Sequence, residues 1–150
     1  MKSLKIALGV DHAGFEMKDK LINFLKLEGH KIVDFGTDSQ ESCDYPDISS
    51  KVARAVASKK CDRGILMCGT GIGMSIAANK IKGARAAVVW SVDTAQLASQ
   101  HNWANILCVG SRFHKLSVIK KMVKTWLSTP WEISGRHERR IGKIRKLESK

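Results

Sequence analysis

The segment Cys68–Ser75 places a thiol directly before three glycines at alternate positions. Gly69, Gly71 and Gly73 allow a sharp backbone turn that exposes N–H groups, and N–H groups at the start of a helix bind anions. The same setting favours the thiolate of Cys68, which can act as a general base. The segment therefore predicts a site for a phosphate or a developing oxyanion beside a reactive sulfur. The alternatives are a tight turn without a ligand and a cysteine that only fills the core.

This glycine loop matches neither of the two common nucleotide-binding loops. The Lys-Ser/Thr pair of a Walker A loop is missing, and the G-x-G-x-G spacing follows the third predicted strand instead of the first. Asp93 lies about 20 residues on, where a dinucleotide fingerprint has its acid, but a helix N-cap explains Asp93 more simply. A nucleotide-binding module remains an alternative.

Two further polar pairs occur where predicted elements end. Asp11 and His12 follow the first predicted strand and can bind hydroxyls or a phosphate. The structural alternative for Asp11 is a cap of the next helix. His101 and Asn102 close a predicted helix. The structural interpretation is a C-cap by Asn102, and the catalytic one is proton transfer by His101 near neutral pH.

Two arginines near the C-terminus form a possible phosphate anchor. Arg136 and Arg140 are one helical turn apart, so that their guanidinium groups share a helix face. Two such groups suit a phosphate, and a solvated helix face is the alternative.

The elements that must position these residues alternate between strand and helix. Apolar runs and helical periodicity give five strands and six helices. The predicted strands cover 4–10, 31–35, 64–68, 84–90 and 105–109. The predicted helices cover 15–27, a segment starting near Pro46, a segment from the glycine loop to about 79, 93–100, 116–127 and about 136–147.

This alternation predicts an α/β fold with a five-stranded parallel sheet and helices on both faces. Ligands of such sheets bind beyond the carboxyl ends of the strands. Cys68 and the Asp11-His12 pair both follow strand ends, so we expect them on that rim.

Length and composition are those of an ordinary globular protein. The 150 residues, 43% hydrophobic and 27% charged, suit a single domain over 1–150. No apolar run approaches the roughly 20 residues that cross a bilayer, and we expect no signal peptide. The four cysteines, Cys43, Cys61, Cys68 and Cys108, have no zinc-site spacing, which favours a reduced, cytoplasmic protein. Of these, Cys61 and Cys108 are expected to be structural and Cys43 to lie in a loop.

The positive charge is concentrated at the C-terminus. Residues 112–150 hold 12 Lys/Arg and 3 Asp/Glu, and so carry nine of the twelve net positive charges. Phosphate recognition, nucleic-acid affinity and a solvated basic surface are competing explanations. A nucleic-acid partner is the weaker reading, because no interleaved exposed aromatics or known binding motif accompany the charge.

Taken together, the motifs resemble the ribose-5-phosphate isomerase B family, within the group that includes galactose-6-phosphate and allose-6-phosphate isomerases. The resemblance spans nearly the whole chain. It rests on Asp11–Phe15, Asp44–Pro46, Cys68–Gly73, Ala77–Lys80, His101-Asn102, Gly110–Arg112 and Gly135–His137.

The resemblance implies a Rossmann-like three-layer α/β/α sandwich and a homodimer or dimer of dimers, with each active site between two subunits. It implies interconversion of D-ribose 5-phosphate and D-ribulose 5-phosphate, in the non-oxidative branch of the pentose phosphate pathway, without metal or organic cofactor. His101 would help to open the sugar ring, Thr70 would assist, and Cys68 would move a proton between C2 and C1.

The remaining roles implied by the resemblance concern binding. Backbone N–H groups from Gly69 to Met74, including Gly71, Ile72 and Gly73, would stabilise the enediolate oxygen. Sugar hydroxyls would be held by Asp11, Tyr45 and Asn102. The phosphate would be held by His12, Arg112, Arg136 and Arg140, some of them from the partner subunit.

Two points qualify this resemblance. Some family members use a glutamate of the glycine loop as the base, and Met74 stands at that position here, which leaves Cys68 as the candidate. The sugar is not fixed by the motifs, so a six-carbon phosphate such as allose 6-phosphate or galactose 6-phosphate is the alternative substrate. The basic tail, 139–150, is not required by this chemistry.

Overall fold

The computed structural model describes residues 2–149. The strands are β1 (Lys5–Val10), β2 (Lys31–Asp34), β3 (Arg63–Cys68), β4 (Ala86–Val88) and β5 (Ile106–Gly110). The helices are α1 (Phe15–Leu27), α2 (Tyr45–Ala57), α3 (Ile72–Ala78), α4 (Val92–Gln100), α5 (Leu116–Ser128) and α6 (Gly135–Leu147). Within this part of the chain, no helix is both long and apolar enough to cross a bilayer.

The five strands form one parallel sheet in the order β2-β1-β3-β5-β4. The central strand β3 is buried on both faces, and alternate side chains serve two cores. Ile65 and Met67 pack in a core with α1, α4 and α5, whereas Leu66 and Cys68 pack in a second core with α2 and α3. The predicted three-layer α/β/α arrangement is therefore confirmed.

The C-terminal helix α6 packs across the end of α4 and the connection before β4. Ile141 is its buried apolar residue, His137 stacks on His101, and the Glu148 carboxylate accepts a hydrogen bond from the Gly83 N–H. Most of its other side chains are exposed, which agrees with its predicted basic character.

Two local predictions around α4 were wrong. Ser91, not Asp93, is the N-cap: its hydroxyl accepts from the Thr94 N–H, and the Thr94 hydroxyl accepts from the Ser91 N–H, which forms a capping box. The C-cap is His101, so Asn102 lies beyond the helix. Asp93 sits in the first turn, where its charge still favours the helix dipole.

Strand β4 is shorter than predicted, three residues instead of the apolar run 84–90. It is an edge strand that pairs with β5 alone, so its ladder extends only where β5 is opposite. The predicted strand was too long because the flanking residues Ala84 and Val89 are also apolar and buried.

Candidate active site

The carboxyl ends of β1, β3 and β5 meet at one point of the sheet. The Asp11 N–H donates to the Met67 carbonyl at 3.1 Å, and the Ser111 N–H donates to the Cys68 carbonyl at 2.8 Å. The residues after these three strands surround a cavity of about 500 Å³. This candidate catalytic cavity is lined by Asp11, His12, Ala13, Tyr45, Cys68, Gly69, Thr70, Ile72, Gly73, Ile76 and Arg112.

The sulfur of Cys68 lies in the wall of this cavity, where β3 ends and the glycine loop begins. The Gly71 N–H donates to Cys68 Sγ at 3.1 Å, and the Ile72 N–H donates to Thr70 Oγ1 at 3.1 Å. Gly71 has a φ of +79°, a left-handed conformation that side chains rarely adopt. An N–H directed at the sulfur stabilises a negative charge there, so the loop is suited to a thiolate.

The other two loop glycines are required by close packing. A Cβ on Gly73 would lie 2.5 Å from the Tyr45 ring, and a Cβ on Gly69 would lie 2.8 Å from the Arg112 guanidinium. The aromatic ring and the guanidinium thus rest directly on the loop backbone. Their positions over the cavity depend on the absence of side chains at these glycines.

The histidine of the cavity has a defined tautomer. His12 Nδ1 accepts a hydrogen bond from the Cys43 N–H at 3.2 Å. A neutral His12 therefore carries its proton on Nε2, which is the nitrogen left to donate to a ligand. Cys43 lies in the loop before α2, as predicted.

Asp11 does not cap α1, so that alternative was wrong. The N-cap is Gly14, without a side-chain cap, and Asp11 Oδ1 accepts from the Ala13 N–H at 2.9 Å. The carboxylate is 4% exposed and lines the cavity, which leaves its second oxygen for a ligand.

The Met74 side chain does not line the cavity. It is fully buried in the core with α2 and α3, and its carbonyl accepts from the Ser49 hydroxyl at 2.6 Å. Only its backbone N–H, one of those that lack a partner inside the helix, can serve a ligand.

Four predicted residues lie outside the cavity: His101, Asn102, Arg136 and Arg140. They belong to a second cluster at the end of α4 and the start of α6. The rings of His101 and His137 stack with centroids 4.0 Å apart and planes 5° apart, and Arg136 Nε approaches His137 Nε2 at 3.4 Å. Arg136 and Arg140 are both exposed.

His137 belongs to the second cluster, but no role was predicted for it from its motif, Gly135-Arg136-His137. Burial lowers its pKa, the charges of His101, Arg136 and Arg140 add to that effect, and Glu132 opposes it. The stack with His101 therefore favours a neutral ring at position 137.

One group of side chains has the composition of a metal site but not the geometry. Ligand atoms of His101, Glu132 and His137 lie within 4.8 Å of one another. The lone pairs of an imidazole lie in its ring plane, and these two planes are parallel and separated. The two nitrogens therefore do not converge on one ion, whose bonds to nitrogen would be about 2.1 Å long.

Comparison with known proteins identifies the family of this chain. A family model described as Ribose/Galactose Isomerase matches residues 6–144. The chain belongs to the ribose/galactose isomerase family. A curated member, ribose-5-phosphate isomerase B of Escherichia coli, is 46% identical over 146 residues, which are 97% of each chain.

Solved structures of the family have the same fold. Ribose-5-phosphate isomerase B of Clostridium thermocellum is 48% identical with a TM-score of 0.94, and the match covers 97% of each chain. The Mycoplasma genitalium enzyme, solved with bound ribulose-5-phosphate, is 42% identical with a TM-score of 0.93, again over 97% of each chain.

Proposed function

We propose that this protein interconverts D-ribose 5-phosphate and D-ribulose 5-phosphate through an enediolate, with Cys68 as the base. The observation that carries the proposal is Cys68 Sγ at the end of β3, held by the Gly71 N–H inside a cavity lined by polar side chains. Membership of the ribose/galactose isomerase family supports it, and that family setting favours an isomerase over a nucleotide-binding module or a nucleic-acid-binding protein.

The chemistry follows from the loop. The Cys68 thiolate removes the proton from C2 of the open-chain aldose and returns it to C1, while the O2 hydroxyl proton passes to O1, so the sulfur ends the cycle unprotonated. The charge that develops on the enediolate oxygen is stabilised by loop N–H groups. The Gly71 N–H donates to the sulfur and the Ile72 N–H to Thr70 Oγ1, so the N–H groups of the loop left for the oxygen are those of Gly69, Thr70, Gly73 and Met74.

His101, the residue expected to open the sugar ring, does not line the cavity of its own chain. We infer that His101, assisted by Thr70, opens the ring, and that His101, Asn102, Arg136 and Arg140 reach the cavity from a second copy of the chain. Their position outside the cavity of their own chain supports this arrangement. The proposed assembly is a homodimer or a dimer of dimers.

The anchors for the substrate divide between the two clusters. Asp11, Tyr45 and Asn102 would hold sugar hydroxyls, and the phosphate would be held by His12, Arg112, Arg136 and Arg140. The proposed reaction uses protein groups alone, without metal or organic cofactor. It belongs to the non-oxidative branch of the pentose phosphate pathway, which places the protein in the cytoplasm.

Replacement of the sulfur tests the assignment of the base. Cys68→Ala should fold normally and lose about a thousandfold in kcat, within the usual range for a general base. Turnover of ribose 5-phosphate is measured by the appearance of ribulose 5-phosphate, and folding by thermal unfolding. Cys61→Ala is the matched control, because Cys61 is buried away from the cavity. Near wild-type turnover in Cys68→Ala would exclude the sulfur as the base.

A six-carbon sugar phosphate is the second candidate substrate. The description of the family includes galactose as well as ribose, and the open cavity of about 500 Å³ does not by itself exclude one more carbon. Comparison of kcat/KM for ribose 5-phosphate, allose 6-phosphate and galactose 6-phosphate decides between them. We expect ribose 5-phosphate to have the highest value.

A further inference from the structure

A second polar cavity, of about 340 Å³, lies at the opposite edge of the sheet, where the strands begin. Its wall combines basic side chains with one indole and one carboxylate. This amino-edge cavity is lined in part by Lys59, Lys82, Arg85, Trp131, Arg145 and Glu148. These residues are far apart in the sequence, and three of them lie in the C-terminal segment that carries the unexplained positive charge.

The positive charge in this cavity is only partly balanced by the protein, since Glu148 is the one carboxylate among the residues that line it. Within residues 2–149, no carboxylate oxygen lies within 4.0 Å of the side-chain nitrogens of Lys59, Lys82, Arg85 or Arg145. Burial lowers the pKa of Arg85, and the charges of Arg145 and Arg63 lower it further, against the opposing charge of Glu148. Uncompensated cations that repel one another in a concave site favour an anion there.

Contacts with Trp103 restrict the two arginines of the cavity before any ligand arrives. Arg85 Nε donates to the Trp103 carbonyl at 2.9 Å, and the Arg145 guanidinium lies 5.5 Å from the Trp103 ring centroid. A pre-ordered guanidinium loses less conformational entropy when it binds a phosphate.

The Trp131 ring in the wall is not free to stack on a base. Trp131 stacks on Trp103 at 5.6 Å, and the Arg63 guanidinium lies 4.5 Å from the Trp131 ring centroid. A strand of RNA or DNA would need free ring faces for stacking, so these rings favour a small anion over a nucleic acid. The Trp131 indole N–H is buried and has no acceptor among the described residues.

One carboxylate already occupies part of this cavity. Glu148 Oε1 accepts from the Gly83 N–H at 2.8 Å, and Glu148 is the carboxylate that counters the charge of Arg85. The Glu148 carboxylate thus lies where an external anion would interact with the same basic side chains.

We propose that the amino-edge cavity binds a small anion of the phosphate class with two or more negative charges. Lys59, Lys82 and Arg145 are its ligands, and the Glu148 carboxylate competes with it. The site is separate from the candidate catalytic cavity, since the two lie at opposite edges of the sheet.

Titration of the full-length protein with inorganic pyrophosphate tests the proposal. The local readout is the Trp131 indole N–H signal in a ¹H–¹⁵N spectrum, assigned with Trp131→Phe, and calorimetry gives the affinity. The double variant Lys82→Gln/Arg145→Gln should weaken pyrophosphate binding at this site about tenfold. Glu148→Gln keeps a hydrogen-bond acceptor and removes the charge, so it should strengthen that binding.

Two controls distinguish binding at this site from a general effect of surface charge and from binding in the candidate catalytic cavity. Lys20→Gln/Lys143→Gln removes the same charge from exposed positions outside the cavity and should change the affinity less than about twofold. Arg112→Ala alters the catalytic cavity and should leave the Trp131 response in place. Equal weakening in the lysine control, or loss of the Trp131 response in Arg112→Ala, would overturn the proposal.

Two further titrations identify the source of the anion. A nucleoside diphosphate that binds more tightly than pyrophosphate assigns an organic phosphate, and equal affinity assigns a free anion. Binding of single-stranded RNA with the same variant dependence, without a response to pyrophosphate, would replace the small-anion proposal by a nucleic-acid site.

Discussion

At the scale of single residues, position distinguishes the cysteines expected to be structural from Cys68, the proposed base. Burial raises the pKa of Cys61, and burial together with the nearby Cys68 raises that of Cys108. Both are therefore held as neutral thiols in the core, as predicted. Cys68 is also buried, but a backbone N–H points at its sulfur. This hydrogen bond and the position in the cavity wall distinguish Cys68 from the other two.

Gly73 is the residue at which a single methyl group should disturb the candidate active site most. Ala at this position favours the helix, but its Cβ would lie 2.5 Å from the Tyr45 ring and displace it. We expect Gly73→Ala to raise KM for ribose 5-phosphate about tenfold with little loss of stability. Steady-state kinetics and chemical denaturation measure the two effects.

Gly142→Ala is the control for this substitution. Gly142 lies within α6, and its added Cβ would have nothing within 4 Å. This variant should gain about 0.5–1 kcal/mol of unfolding free energy and keep its KM. An unchanged KM in Gly73→Ala would show that the Tyr45 ring does not contribute to substrate binding.

His30 should make stability depend on pH. Its Nδ1 accepts from the Leu4 N–H, and burial, partly opposed by Glu28, holds its pKa below 6.5. The unfolded chain therefore takes up the proton more readily. The contribution of His30 to stability is complete above pH 6.5 and is lost as the pH falls through the folded-state value.

Denaturation at about pH 7.5 and about pH 5 measures this dependence. The loss of unfolding free energy on acidification should be smaller in His30→Gln than in the wild type. An identical loss in the two proteins would mean that His30 is not one of the groups responsible.

At the scale of elements, the start of α4 provides a direct test of the observed cap. Ser91→Ala removes the hydroxyl that accepts from the Thr94 N–H and should cost about 1 kcal/mol of unfolding free energy. Asp93→Ala is the matched control, since Asp93 makes no cap and contributes only through the helix dipole. A larger loss from Asp93→Ala than from Ser91→Ala would contradict the observed capping box.

The elements themselves were readily predicted, and the reasons are local. An apolar run such as 64–68 in the buried β3, and the helical spacing of 116–127, indicate their structures without reference to distant residues. The errors in helix capping occurred where several polar residues compete for one role. Ser91, Asp93 and Thr94 can all cap a helix, and only the backbone geometry decides among them.

At the scale of the whole molecule, the separation of Cys68 from His101 predicts complementation between variants of the two residues, if both have the proposed catalytic roles. If each site combines Cys68 of one chain with His101 of another, a mixed dimer of Cys68→Ala and His101→Ala chains has one intact site. Co-refolding of equal amounts should restore about a quarter of the wild-type turnover.

Each variant refolded alone is the control and should remain inactive. A mixture as inactive as its components would place both residues in one chain's site. Native mass spectrometry, which resolves the mass difference between the two chains, verifies that mixed assemblies form.

Only those parts of the candidate site that lie within sequence motifs could be predicted. Residues that follow strand ends, such as Asp11 and Cys68, come together because parallel strands share an edge. The stack of His101 on His137 and the amino-edge cavity depend on how α6 packs, and no local pattern encodes that packing. The charge of the C-terminus was visible in the sequence, but its convergence with Lys59 and Lys82 was not.

The strand order also determines when the sheet can be completed during synthesis. The pairs of β1 with β2 and of β1 with β3 can form once residue 68 has left the ribosome. Strand β4 is made before β5, yet β5 is its single neighbour. The nascent chain must therefore hold Ala86–Val88 unpaired until residue 110 emerges, and a pause in translation between these points would expose that segment to other chains.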